Sequence, residues 1–540
     1  MPVPSVGAPQ GEAVGRFGRS LTRAAPVLAF AVVVALATYL ALPRLLHREI
    51  AYYDEGVYVA TAKALAAGSG YRNPSLPDAP PQAKYPPLFP LALSFVWRLA
   101  PRFPANLIAM KALVFLTGMG LLALTFQRVQ VRRGPLEAVA VVAVLAVSPM
   151  VLLFASLVTS DIPFAFLSLL ALDAYERGLS RPRAFAMALV AAALAVLTRT
   201  VGAILFAAMG VHLLLRRDVG RAVLCAAVGA LVIVPWLAWT HWATASYAAY
   251  PSSVRGNYVG YGAAISPATL LDHAPAILGV NLAYLMYMWN GIVLPWAPIK
   301  LGSVLNLAVL LLFLLANRRR PPGVVGIYCV AYLLCILIVP YPDTGRYALA
   351  LSPFLVGLFV AGARGAIEKG LPARVSRIAG VALTVALTFT ALAVNVRLDS
   401  RPVSGRDVAL WTEYDRMIDW IREHLPAEAV VVGDFDPAYY LFTGRKAIRL
   451  SVNDNFGIYY ASEVVREFPH ARDLVDHFQH MGACYVIRDP IIGGWEDVFF
   501  GNLIGALGAS SPTPLRAVYR SRDGRFIVYR WAGCGATPAT

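Results

Sequence analysis

The chain has 540 residues and a mass of 58.2 kDa; 58% of the residues are apolar and only 14% charged, where an ordinary soluble protein carries about 25% charged residues. A mean hydropathy of +0.61, with apolar runs too long for core helices, excludes a cytosolic enzyme, a disordered chain, a collagen and a small disulfide scaffold, and points to a bilayer, which a helix crosses with about 20 apolar residues. The net charge of +16 does not mark a nucleic-acid partner: 31 of the 47 basic but only 13 of the 31 acidic side chains precede residue 396, so the basicity belongs to the apolar part and acts as a topology signal.

Residues 1–23 form a basic tail with Arg16, Arg19 and Arg23. The first apolar stretch, 24–43, is long for a cleaved signal and reads as a retained anchor. Others lie at 106–126, 136–156, 162–175, 184–198, 201–215, 221–240, 300–316, 323–340, 347–363 and 377–396, about eleven crossings in all. Ser148-Pro149, inside 136–156, predicts a kink or a re-entrant segment. Alternate loops carry Arg128/Arg132/Arg133, Arg177/Arg181/Arg183, Arg216/Arg217/Arg221, Arg318/Arg319/Arg320 and Arg364/Lys369/Arg374/Arg377. Positive charge marks the cytoplasmic side, which places the N-terminus inside and the long loops at about 45–104 and 241–299, with everything after residue 396, outside.

Beyond residue 396 charge rises to soluble levels. Asp415–His424 is helical in period, Val430–Val432 reads as a buried strand ended by Gly433-Asp434, and Cys484–Ile487 and Arg525–Trp531 read as strands. The expected architecture is a polytopic α-helical membrane protein: a tail at 1–23, a transmembrane region at 24–396 and a small extracytoplasmic α/β domain at 397–540. Cys225, Cys329 and Cys335 lie in spans as small core residues, whereas Cys484 and Cys534 both fall outside, where a disulfide between them is open.

So few acids make each one informative, because charge at hydrocarbon depth is costly. Glu12, Glu137, Asp173, Glu176, Asp218 and Glu368 fall among the cytoplasmic Arg clusters, where pairing explains them. Asp54, Glu55, Asp161, Asp272 and Asp343 instead gather near the outer ends of spans. Asp54-Glu55 opens a helical segment with Tyr58, Ala62 and Leu65 on one face; an acidic N-cap is the plainer account. Ser160 or Asp161 capping a helix with Pro163 in its first turn likewise explains SDIPF.

Cations share that side: Lys84 in a Pro-bounded segment, Arg199 at the end of one span and Arg346 at the start of another. Snorkelling to headgroups accounts for any one of them. Together with the carboxylates they suit one reaction, in which an acid takes a proton from an acceptor hydroxyl while cations steady a leaving lipid phosphate. Tyr58, Tyr85 and Tyr258, the last in a Tyr- and Gly-rich loop at 246–262, are candidate sugar contacts, with an interfacial aromatic belt as the alternative. His477 and His480 beside Asp473 and Asp476 have metal-like spacing that a solvated helix face explains equally. Gly68-Ser69-Gly70 is a turn, and Lys111, within the second span, has no assigned role.

At these residues the sequence resembles the GT-C superfamily of integral-membrane glycosyltransferases, close to the protein O-mannosyltransferase and lipid A aminoarabinose transferase group. DEGVYVATAKALAAG (Asp54–Gly68), AKYPPLFP (Ala83–Pro90), SDIPF (Ser160–Phe164), LTR (Leu197–Arg199) and GRYALALSP (Gly345–Pro353) carry the likeness. The resemblance implies transfer of a sugar from a polyprenyl-phosphate donor to a lipid, protein or polysaccharide acceptor on the outer face of the cytoplasmic membrane. It makes Asp54 the general base, Glu55 and Asp161 its supports, and Lys84 and Arg346 the phosphate-facing cations, with Arg199 a further candidate for the phosphate from its place at the end of a span. One departure stands out: aminoarabinose transferases place an acid just before the Lys of their Lys-Pro-Pro segment, whereas here Ala83 precedes Lys84 and Tyr85 intervenes, which leaves a divalent metal open. A polytopic transporter or lipid flippase is the rival reading; such proteins hold their charges near the bilayer midplane and often show repeated halves. A non-catalytic membrane scaffold would leave the clustered acids unexplained.

Overall fold

The computed structural model describes residues 10–250, 267–294, 300–305, 322–339, 344–370, 372–400, 405–449, 480–491 and 515–531, with isolated positions between them such as 258, 259, 307, 308, 311 and 478. The apolar stretches fold as helices because, without water to pair with, each backbone amide has to bond within its own segment. In chain order they are α1 (Gln10–Leu46), α2 (Tyr53–Ala66), α3 (Leu88–Leu99), α4 (Leu107–Arg133), α5 (Pro135–Ala146), α6 (Pro149–Ala155), α7 (Asp161–Gly178), α8 (Pro182–Thr198), α9 (Ala203–Leu215), α10 (Val219–Ala245), α11 (Pro267–Asp272), α12 (Ala274–Val293), α13 (Val324–Ile338), α14 (Thr344–Tyr347), α15 (Ser352–Gly370) and α16 (Ala373–Ser400).

By length and composition, five of the described helices suffice to cross a membrane, or six if the bent pair α5–α6 is one span, and five shorter apolar helices accompany them. Ten of the stretches expected to cross coincide with helices; of the remaining one, 300–316, residues 300–305 are helical and most of the rest lies outside the described residues. Helix α7 misses the long apolar set because Asp161, Asp173, Glu176 and Arg177 stand at its ends. The α5–α6 pair bends by 67° where Pro149 opens α6 and Ser148 turns extended, since proline disfavours helical backbone in the residue before it.

Small residues set the close packing. A Cβ on Gly178 would lie 2.6 Å from the Phe185 backbone, and α8 presents buried Ala188, Ala191, Ala192 and Ala195, so the α7–α8 hairpin closes tightly. Helices α10 and α16 turn Val223, Leu231, Val385 and Phe389 outward, which suits a lipid-facing surface. At the C-terminal end of α7, Arg128 meets Asp173 and Glu176, and at the start of α5, Arg133 and Arg364 meet Glu137; these acids are accounted for by pairing.

After α17 (Gly405–His424) the chain forms β1 (Val430–Val432), α18 (Asp436–Thr443), β2 (Lys446–Ile448), β3 (Ala483–Arg488), β4 (Leu515–Arg520) and β5 (Ile527–Trp531). They make one mixed sheet in the order β2-β1-β3-β5-β4, with β1 parallel to β2 and β3, and β5 antiparallel to β3 and β4. Strand β1 is apolar throughout because both its neighbours are parallel and it is fully buried. Gly444, with φ +76°, ends α18 in the left-handed conformation. Cys484 is disulfide-bonded, Cys225, Cys329 and Cys335 are free, and Cys534 lies outside the described residues.

The sheet is fastened to the helices. Val431, Phe435, Ala438 and Tyr439 share a buried cluster with Val57 and Tyr58 of α2 and Met110 of α4. A second cluster joins α7, α8, α9 and α13. The seam between the two clusters runs past the start of α7, where Ile162 belongs to the first and Phe164 to the second.

Candidate active site

Five separate parts of the chain converge at that seam. Helix α2 begins beside Glu55, whose Oε2 accepts from the backbone N–H groups of Ala51 (2.9 Å) and Tyr52 (3.0 Å) while Oε1 accepts from that of Val158 (2.7 Å). Reaching back to the N-cap amide is the carboxylate half of a capping box. Burial pushes the Glu55 carboxyl up, against the pull of Lys111 and the three N–H donors. Both its oxygens are thus taken by backbone, and Asp54, one residue away and about 100° around the helix, is left to point elsewhere.

Asp54 accepts the Tyr85 hydroxyl on Oδ1 at 2.5 Å and Arg346 Nη2 on Oδ2 at 2.6 Å. Burial by itself would raise this carboxyl, but Arg346, Lys84 and the Tyr85 hydroxyl outweigh it and hold it down at about 2. Arg346, carried by the single-turn helix α14, also donates Nε to Asp161 Oδ2 at 2.9 Å, and the other oxygen of Asp161 takes Arg199, at the C-terminal end of α8. The result is an alternating chain, Asp54, Arg346, Asp161, Arg199. The side chains of Asp161 and Arg346 are 3% and 4% exposed, whereas those of Asp54 and Arg199 keep 14% and 16%, so the two ends of the chain are the ones open to a ligand.

Aromatic rings line it. The Arg346 guanidinium lies 5.0 Å from the Tyr52 ring centroid and 5.7 Å from that of Phe154, and Arg199 lies 5.0 Å from that of Tyr347. Lys84 Nζ stands 5.5 Å from the Tyr85 ring, which is 4.7 Å from the ring of Tyr58. The Tyr58 hydroxyl bonds Ser160 Oγ at 2.8 Å, so Ser160 ties α2 to α7 and makes no side-chain cap on its own helix. Two carboxylates therefore face three cations around an aromatic wall, a composition suited to an anion.

The structure brings together Asp54, Asp161, Lys84, Arg346, Arg199, Tyr85 and Tyr58, with Glu55 buried directly behind. Tyr258 is engaged elsewhere: it is 3% exposed, its hydroxyl donates to Asp436 Oδ2 at 3.3 Å and it accepts the Arg449 backbone N–H at 2.8 Å. Asp272 ends α11, Asp343 and His477 lie outside the described residues, and among those residues no group of three or more His, Cys, Asp or Glu side chains is placed to hold a metal ion. With Asp54 and Asp161 both engaged by guanidinium groups, the donor set here does not fit a metal.

Sequence reasoning passed over Ser160, Tyr52, Phe154 and Tyr347. Ser160 and Tyr347 stand inside the quoted SDIPF and GRYALALSP segments and were within reach; Tyr52 and Phe154 carry no signal beyond being aromatic. Lys111, unassigned from sequence, is 3% exposed and donates Nζ to the carbonyl oxygens of His47 (3.0 Å) and Glu49 (3.3 Å).

No protein-family model matches the chain, and no curated protein matches it. Solved structures do. ArnT from Cupriavidus metallidurans bound to undecaprenyl phosphate aligns with a TM-score of 0.54 at 16% identity, over 92% of this chain and 97% of that one. An Archaeoglobus fulgidus oligosaccharyltransferase tethered to an acceptor peptide with the NVT sequon aligns at 0.57 and 14% identity, over 94% and 74%. AglB from the same organism, in complex with an inhibitory peptide and a dolichol-phosphate, gives 0.57 and 14% over 96% and 75%. A likeness of that extent at such low identity is a likeness of fold, and the fold of this chain is GT-C, the fold of integral-membrane glycosyltransferases.

Proposed function

We propose that the chain is a glycosyltransferase of the cytoplasmic membrane that moves a sugar from a polyprenyl-phosphate donor to an acceptor hydroxyl on the outer face. In this reading the N-terminus is cytoplasmic, about eleven helices span the bilayer, and residues 397–540 form an extracytoplasmic α/β domain. The observation that carries the proposal is the convergence of Asp54, Asp161, Arg346, Arg199 and Lys84 at one end of the bundle. The lipid phosphates in the ArnT and AglB structures support a phosphate-bearing carrier.

Asp54 takes the proton as the acceptor O–H bond breaks; the oxygen attacks the anomeric carbon, and the bond from that carbon to the phosphate oxygen breaks with its electron pair going to the phosphate. Arg346, Arg199 and Lys84 stabilise that anion. Asp161 holds the two guanidinium groups at fixed spacing, so their electrostatic work is done before donor arrives. A carboxylate held at about 2 is a weak base. An incoming phosphate shares the charge of Arg346 and adds negative charge nearby, and both effects raise the basicity of Asp54 at the moment it is needed. Tyr58 and Tyr85 are the sugar-facing aromatics; Tyr258 joins them only if its hydroxyl leaves Asp436 and Arg449.

The test is to incubate purified protein with a panel of polyprenyl-phosphate sugars and measure released carrier phosphate. Release with at least one donor is expected. Absence of release with every donor, or reporter tags that place the loop at about 45–104 inside the cell, overturns the reading.

A further inference from the structure

We infer that Lys111 is a positioning residue for the transfer reaction, acting through the corner between α1 and α2 that carries Asp54; the inference rests on the role proposed for Asp54. The corner is held from two sides by opposite charges. Lys111, rising from the second turn of α4, takes the carbonyl oxygens of His47 and Glu49. Glu55 takes the N–H groups of Ala51 and Tyr52, and through Val158 it fixes the same corner to the segment leading into α7. Each charge is matched to the backbone groups it attracts: a cation to carbonyls, an anion to amides.

A buried ammonium is costly unless it is bonded and faced by opposite charge. Lys111 is 3% exposed and interacts electrostatically with Glu55, so the pair is internally compensated. It touches neither Asp54 nor the groups assigned to the donor. What it sets is the backbone path from His47 to Glu55, and hence the direction of the residue between Tyr53 and Glu55. A shift of about 1 Å at a catalytic group costs on the order of 10²-fold in rate. The Glu55 bonds begin only at Ala51, so the bonds from Lys111 to the His47 and Glu49 carbonyls extend the hydrogen-bonded restraint to the residues before it.

The experiment is a double-mutant cycle with Asp54, read as kcat and donor KM on purified protein. Lys111→Met is expected to lower kcat about 10- to 100-fold with donor KM within about threefold. In an Asp54→Asn background the same substitution should cost less than about threefold, because a displaced base matters only while there is a base. An equal loss in both backgrounds, or no loss in either, overturns the inference. Should Lys111→Met fail to accumulate, Lys111→Gln, which keeps an N–H donor but no charge, runs the same cycle with the same three outcomes. Full activity of Asp54→Asn alone would strike the proposed role of Asp54, a result distinguishable from any outcome of the Lys111 arm.

Discussion

Arg346 Nη2 lies 2.6 Å from Oδ2 of Asp54 across 292 residues of sequence. The same guanidinium donates through Nε to Asp161, so one planar fork sets the separation of the two carboxylates. That geometry, more than any single charge, gives the site its order.

Asp54→Asn is expected to lower kcat by about 10²–10⁴-fold while protein accumulates normally, because the amide keeps the shape but takes no proton. Released carrier phosphate from a fixed amount of purified protein measures it. A rate within a factor of about two of wild type removes Asp54 from the role of base.

Arg346→Lys keeps the charge but cannot hold Asp54 and Asp161 at once, since an ammonium lacks the fork. Donor KM is expected to rise about tenfold and kcat to fall by a similar factor. Lys84→Ala, which touches the Tyr85 ring and lies outside the fork, should raise donor KM with the smaller effect on kcat. Donor titrations of both variants check this; unchanged donor dependence in both would deny them contact with the phosphate.

The pH profile follows from the sign of the Asp54 shift. Its carboxyl is held down at about 2, so the free enzyme keeps it ionised across the working range, and kcat/KM should show no acid limb from this group down to about pH 4. Arg346→Met removes the principal counter-charge, so that burial is opposed only by Lys84 and the Tyr85 hydroxyl and the carboxyl moves upward. An acid limb should then appear at higher pH than in the wild type.

Asp436 and Asp489 govern a second pH effect, on stability. Burial pushes each up to about 7. A carboxyl whose folded value exceeds its unfolded one binds more protons when folded, so its contribution is fully present below about pH 4 and is lost as pH rises through about 7. Unfolding of the sheet region, followed by hydrogen exchange of the β1 and β3 amides, should therefore occur at higher temperature at pH 5 than at pH 8, and Asp436→Asn should flatten the dependence. An unchanged slope in that variant counts against Asp436.

Gly56→Ala tests the seat of α18 on α2. The added Cβ would stand 2.9 Å from Pro437 Cβ, and both partners are backbone-fixed, so the helices have to part. A destabilisation of about 1–3 kcal/mol is expected, seen as a lowered thermal midpoint; an unchanged midpoint would show that α18 yields.

The helices were legible because a bilayer leaves hydrophobicity as nearly the only message a span can carry. The sorting of Asp173, Glu176 and Glu137 into pairing partners of arginine likewise follows from their loops. Asp54 and Glu55 show where reading stops. They are adjacent acids of one motif, yet one faces the guanidinium chain and the other is spent on backbone amides, and the difference is set by Val158 and Arg346, 103 and 292 residues away. Tyr258 illustrates the same limit: a loop rich in Tyr and Gly fits a sugar equally well in sequence, but its hydroxyl is taken by Asp436, 178 residues on. Lys111 has no role legible in sequence because its partners are the carbonyls of His47 and Glu49, groups that every residue possesses.

The distances along the chain also impose a timetable on biosynthesis. The partner of Glu55 emerges from the ribosome with Val158, well before Arg346. A nascent chain halted before residue 346 would therefore carry every group that holds Glu55, and Lys84 and Tyr85 beside Asp54, but not the guanidinium that joins Asp54 to Asp161.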